Sequence, residues 1–189
     1  MSPDGSMAIF PRHRIAIYTL GRFDVVLDGT PLRFKGRAPV RALELLSALI
    51  AAGGRGISVA SLSDSLWPEA DGFDAYRAFT TTLHRLRRLL QCPEAVRLAA
   101  GRLTLDAQLC RVDLWEFERS LRAARDQLEL RHALDLYHGP FMGDDPNPWC
   151  ISMRERLEKQ VSTARSRLAP APKSRYVLSD ALDFAAFAT

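Results

Sequence analysis

The chain has 189 residues, 47% hydrophobic and 25% charged, with a formal net charge of +4. That composition suits one large domain or two small ones and excludes disorder over most of the length. Residues 1–112 hold 15 Lys and Arg against 10 Asp and Glu, whereas residues 113–168 hold 9 against 10. A basic half thus precedes a neutral one, which fits a nucleic-acid-binding module followed by a module with another task.

Residues 1–14 read as a flexible arm without a signal-peptide core, since Pro11 interrupts their only apolar stretch. Residues 15–20 and 23–27 predict two short strands. Asp28-Gly29 supplies a hairpin turn into a returning strand over 30–34. Residues 39–52 carry Val40, Leu43, Leu46, Ala48 and Ile50 at near-helical spacing, and Gly53-Gly54 stops that helix. Ser58 is an N-cap for a short helix over 59–67, which Pro68 ends, and residues 69–73 form a polar connection.

Residues 74–91, DAYRAFTTTLHRLRRLLQ, predict the most informative helix. At about 100° per residue, Ala75, Phe79, Leu83, Leu86 and Leu90 share one stripe. Arg77, Thr81, His84 and Arg88 line the opposite side, flanked by Thr80 and Arg85, while Arg87 falls nearer the buried side. Guanidinium groups reach guanine or phosphate, and short polar side chains reach base edges or thymine methyls. A basic outer face is also what an ordinary solvated helix shows.

Residues 96–105 form two short alternating runs hinged near Gly101 and predict a β-hairpin with Arg102 at its tip. Strands, helix, short helix, basic helix and hairpin in that order predict an α+β winged helix over residues 15–111. From 113 onward the pattern is helical only, over 113–124, 127–138 and 149–168. An all-α antiparallel array over 112–168 is therefore expected. In the turn-rich connection between the last two helices, Phe141 and Met142 are candidates to plug the helix pair. Residues 169–189 read as a linker, Ala169 to Pro172, and a tail with a short apolar helix over 178–187.

These segments resemble a known family. LGRFDVVLDGTPL, RALELLSALI, LSDSLWPEAD and LHRLRRLL resemble bacterial regulators with an OmpR-type winged helix. VDLWEFERSL, ALDLYHGPFMGD and the helix from Trp149 with its ERLE run resemble the bacterial transcriptional activator domain. The modules occur in this order in the antibiotic regulatory protein (SARP) group. The resemblance implies a tetratricopeptide-like helical second domain, a recognition helix in the major groove at 74–91, and a wing at 96–105 beside the minor groove. It further implies binding to double-stranded DNA, often as tandem copies on repeated half-sites, with RNA polymerase a candidate partner of the helical domain. The resemblance ends near Leu168, which implies a shortened helical domain.

On this reading the DNA-contacting residues are Arg77, Thr80, Thr81, His84, Arg85 and Arg88 on the helix and Arg102 on the wing. Arg37 and Arg41 join them beside the first core helix, where an N-terminus holds phosphate. Trp67 and Trp115 are expected to pack within their own domains. Neither catalysis nor a metal or cofactor is expected. Cys92, Cys110 and Cys150 lack metal-ligand spacing, His132 and His138 stand six apart, and GRAPVRAL lacks the lysine and spacing of a phosphate loop. The most apolar window, residues 42–52, is too short to span a bilayer, so the expected location is cytoplasmic. Control is expected through abundance, a ligand or a partner acting on the helical half. Two rival readings stand: a protein-interaction adaptor without specific DNA binding, and a small enzyme in which His84, Cys92 and a carboxylate converge in a closed pocket.

Overall fold

The computed structural model describes residues 13–34 and 36–168. Most of the expected N-terminal arm, the linker after Leu168 and the expected helix at 178–187 lie outside the described residues. β1 (Ile15–Tyr18), β2 (Asp24–Leu27) and β3 (Thr30–Pro31) form an antiparallel meander. Its second turn is Asp28-Gly29, with φ of 46° and 83°. Two positive φ values in a two-residue loop match the twist of the flanking strands. β3 is shorter than expected, ending at Pro31, although the Leu32 amide still donates to the Val25 carbonyl at 2.7 Å.

α1 (Val40–Ala51) is the central helix. Its positions from Leu45 to Ile50 are all buried, so it is covered on every side rather than along one stripe. The Gly54 amide returns to the Leu49 carbonyl and ends the helix. β4 (Ile57–Ser58) leads into α2 (Val59–Leu66), whose cap Ser58 accepts from the Ser61 amide. α3 (Gly72–Leu89) follows. It starts two residues earlier than expected because the Asp71 carboxylate accepts from the Asp74 amide at 2.9 Å, capping the chain before Gly72. A short 3-10 turn at Pro93–Ala95 then leads to β5 (Val96–Ala99) and β6 (Arg102–Leu105), which complete a three-stranded sheet in the order β4, β6, β5.

Sequence periodicity missed β7 (Cys110–Val112), which pairs parallel with β1 and closes a sheet ordered β3, β2, β1, β7. Three residues are too few for a period to register. β7 runs directly into α4 (Asp113–Ala123), followed by α5 (Gln127–Asp135) and α6 (Pro148–Arg167). Asp113 makes the junction. Its carboxylate accepts from the Thr19 amide and hydroxyl at 2.8 and 2.7 Å, from the Leu20 amide at 3.0 Å and from the Leu114 amide at 2.7 Å. β1 therefore stops at Tyr18 rather than residue 20, because the next two amides turn to a side chain instead of a strand.

The helical half packs on the winged helix and shares its core. The Trp115 indole lies over Gly54, where a Cβ would meet ring carbons at 2.2 Å, and it donates to the Ile50 carbonyl at 3.4 Å. Trp115 therefore crosses from one half to the other rather than staying within its own, because the turn after α1 has a glycine, Gly54, that leaves room for the ring. Trp67 packs against the common core beside α2. Trp149 donates to the Ser47 hydroxyl at 3.1 Å from the other side of α1. Phe141 is fully buried, bridged to Leu20, while the Met142 amide donates to the Thr19 carbonyl. The plug expected in the 139–148 connection thus seats against the end of β1. Burying each large aliphatic or aromatic side chain contributes about 2 kcal/mol, so Phe141, Leu45, Leu49 and Ile50 together make this junction a major part of the core.

The seat has no slack at Gly21. At φ 78°, a Cβ there would stand 2.7 Å from the His138 carbonyl oxygen. Gly29, at φ 83°, has nothing within 4 Å. Gly29→Ala should cost about 1 kcal/mol, the penalty of left-handed backbone alone, whereas Gly21→Ala should cost about 3 kcal/mol by adding steric displacement of the 138–143 loop. Urea denaturation of the two variants measures the gap, and equal losses would contradict the close seat.

All three cysteines are free and buried. Burial pushes the Cys110 and Cys150 thiols from an ordinary 9.0 up to about 12. The folded chain retains protons that an unfolded chain releases, so this contribution to stability is complete below about pH 9 and is lost as the pH climbs toward 12. A thiol reagent at roughly pH 8 should leave both cysteines unlabelled until denaturant is added, and the denaturation midpoint should fall above about pH 9. Prompt labelling of the native chain would refute the burial argument.

Candidate nucleic-acid interface

α3 separates its faces as the periodicity predicts. Ala75, Phe79, Thr82, Leu83 and Leu86 are buried against the core, and Arg77, Thr80, Thr81, His84, Arg85 and Arg88 are exposed. The helix contains a single acid, Asp74, in its first turn. Among the described residues, Arg77, Arg85 and Arg88 enter no salt bridge. Unpaired guanidinium groups on one face create a positive potential that no neighbour neutralises.

The hydroxyls are differently disposed. Thr80 Oγ1 donates to the Tyr76 carbonyl at 2.9 Å and Thr81 Oγ1 to the Arg77 carbonyl at 3.1 Å. Each spends its one proton within its own helix, leaving oxygen lone pairs and a methyl for anything outside. Arg87 is drawn inward as its position implied: Nε and Nη2 both donate to the Val96 carbonyl, at 2.9 and 2.8 Å. That fork ties α3 to the first residue of β5, so the hairpin is fastened to the helix beside it.

The hairpin turns at Ala100-Gly101, with φ of 48° and 69°. Arg102 follows the turn as the first residue of β6, and its guanidinium folds back to donate to the Gly56 carbonyl at 2.7 Å. It is exposed, with donors to spare. At the other end of the module, α1 begins after Pro39 with no side-chain cap. Arg37 and Arg41 are both exposed there, but Arg41 already pairs with Glu44 at 2.9 Å. The structure therefore groups six candidates on α3 and places Arg102, Arg37 and Arg41 on separate elements.

Two exposed aromatics went unread in the sequence. Phe73 is 77% exposed and Tyr76 is 55% exposed, with the Tyr76 ring stacked on Phe79 at 6.4 Å. Phe73 was missed because the helix was started at residue 74. Asp71 three residues ahead of Asp74 was the capping signal that would have found it. His84 is exposed while Cys92 is buried, so the closed pocket required by an enzyme reading does not form from them. Among the described residues, no group of three or more His, Cys, Asp or Glu is placed to hold a metal ion, and no helix is long and apolar enough to cross a membrane.

Residues 112–175 match the family described as bacterial transcriptional activator domain. Over that stretch the chain is similar to this domain. The helical array α4–α6 lies within that match, which begins one residue before the Asp113 junction. Over 141 residues the chain is 30% identical to Regulatory protein AfsR of Streptomyces griseus, covering 69% of this chain and 14% of that protein. It is 34% identical over 164 residues to Regulatory protein AfsR of Streptomyces coelicolor, covering 72% and 16%. It thus spans about a seventh of the length of the curated relatives it matches. A solved chain of Mycobacterium tuberculosis EmbR, determined in complex with a low affinity phosphopeptide, has the same fold. It superposes with a TM-score of 0.63 at 22% identity, over 81% of this chain and 44% of that one. The fold class is accordingly a β-rich N-terminal module followed by an all-α, tetratricopeptide-like activator domain. Both curated relatives are named as regulatory proteins.

The Arg87 fork separates an inward-held cation from the exposed ones on α3. Arg87→Ala should lower stability by about 1–2 kcal/mol, because hydrogen bonds from a charged donor are lost and the Val96 carbonyl is left without them. Arg88→Ala, one residue on and exposed, should stay within about 0.5 kcal/mol of the parent. Paired thermal melts test this, and a stable Arg87→Ala chain would remove Arg87 from the scaffold.

Proposed function

We propose that this chain is a sequence-specific regulator of transcription that binds double-stranded DNA. In it, residues 15–111 are an OmpR-type winged helix and residues 112–168 supply protein contacts. The observation that carries this reading is the α3 face, where Arg77, Arg85 and Arg88 stand exposed and unpaired among the described residues on a helix whose opposite side is locked in the core. α3 enters the major groove and the β5–β6 hairpin lies beside the adjacent minor groove, where narrow tracts attract Arg102 once it leaves the Gly56 carbonyl. Arg77, Arg85, Arg88 and Arg37 hold phosphate or guanine, and His84 with Thr80 and Thr81 meets base edges. Arg41 contributes least, since Glu44 competes for it.

The activator domain offers RNA polymerase or a second copy a surface whose orientation to the DNA is set by the shared core. Two copies on repeated half-sites would place those surfaces side by side. The family match, the regulators that align with most of the chain and the uneven charge all support a nucleic-acid partner.

Selection of bound sequences from random duplex DNA, followed by footprinting, tests this reading. On the selected site, Arg77→Ala and Arg88→Ala should each weaken binding by about 1–3 kcal/mol, with a shallower salt dependence where the contact is to phosphate. Enrichment of no sequence, or unchanged affinity in the double variant, would favour a protein adaptor over a DNA reader.

A further inference from the structure

Among the described residues Phe73 is the most exposed of the large hydrophobic side chains, and it stands on the face where a DNA reader needs polar groups. At about 100° per residue it lies roughly 20° from His84, 40° from Arg77 and 20° from Thr80 around the α3 axis. It is therefore near the middle of the outward arc. A phenyl ring so placed makes no hydrogen bond to a base edge or phosphate. The one apolar feature on the major-groove floor that it can match is the 5-methyl group of thymine.

Its neighbours share the property. The Thr80 and Thr81 hydroxyls are turned back onto the helix, which leaves their methyls to meet a partner. Tyr76 is held by its stack on Phe79, so its exposed edge is anchored and loses little freedom on contact. The N-terminal half of α3 thus presents Phe73, Tyr76 and the Thr80 methyl beside a single arginine, Arg77, with the Thr81 methyl at the start of the C-terminal half, which carries Arg85 and Arg88.

We propose that the N-terminal half of α3 reads thymine methyl groups through Phe73, with Tyr76 and Thr80 beside it, and that the half-site carries thymine opposite this segment. This inference rests on the proposed binding of α3 in the major groove. It adds a specificity determinant to the arginine contacts, which set position and affinity. The ring is exposed and makes no core contact, so it can be removed without loss of fold.

Deoxyuridine differs from thymidine only in lacking the methyl. The full chain is titrated with its selected duplex and with copies in which each thymine in turn becomes deoxyuridine. At one or two adjacent positions the exchange should weaken binding about four-fold per methyl lost. Phe73→Ala should bind the thymine duplex correspondingly less well and bind thymine and deoxyuridine duplexes equally, with its salt dependence unchanged. Tolerance of deoxyuridine at every position overturns the proposal, as does a Phe73→Ala chain that still discriminates. A Phe73→Ala chain with parental affinity for the thymine duplex but reduced transcription in a reconstituted reaction also overturns it, because the ring would then face a protein. Specific duplex binding without methyl sensitivity defeats this inference alone, whereas absence of specific duplex binding by the parent defeats the DNA reading itself.

Discussion

The Asp113 carboxylate is the group on which the arrangement of the two halves depends. It is the first residue of α4, and it takes up two consecutive amides and a hydroxyl at the end of β1 while also accepting from the Leu114 amide. Thr19 is fully buried, so without the carboxylate its amide and hydroxyl would have no solvent to turn to. A negative charge at a helix N-terminus is also favoured by the helix dipole. One side chain therefore satisfies the end of a strand and the start of a helix at once. Because β7 pairs parallel with β1 immediately before it, α4 leaves the sheet in one direction only.

From that point α1 becomes the common spine. α3 packs on it, and Trp115 and Trp149 reach it from α4 and α6. A helix buried on all sides cannot belong to one module and merely touch the other, and the core cluster runs through both without a break. The helical half is thus seated on the scaffold that positions α3, not tethered to it by a linker. A load on α6 reaches α3 through one helix, and whatever binds α4–α6 does so at an orientation fixed by packing rather than by chain length.

The local devices were legible in the sequence: the Asp28-Gly29 turn, the Ser58 cap, the Gly53-Gly54 stop and the apolar stripe of α3 each depend on a few adjacent residues. Asp113, Phe141 and Trp115 were visible as residues but not as a junction, because their partners lie about 60 to 120 positions away and nothing local encodes that pairing. β7 was hidden for the same reason: three residues become a strand only because β1 is there to pair with. The arginine face of α3 was readable from periodicity, whereas Phe73 depended on a boundary, and moving the helix start by two residues carried it from a connection to the middle of the exposed arc. The Arg102 contact with Gly56 needed the β4–β6 pairing, which a two-residue strand does not announce.

Arg87 shows why a conspicuous basic run should not be read as a uniform surface. In LHRLRRLL the adjacent Arg87 and Arg88 differ by one step of the helix, and that step sends one guanidinium to the Val96 carbonyl and the other to solvent. A cation used in this way is lost to phosphate binding, but it holds the hairpin against α3 before any partner arrives. Ordering two elements in advance removes a conformational cost that would otherwise be charged against association. On the proposed DNA reading, a helix and a hairpin fastened to each other approach a duplex with one spacing between them, so groove and register are selected together rather than in sequence. On the proposed DNA reading, the inward arginine restricts the geometry of approach even though it reduces the positive charge left on the exposed face.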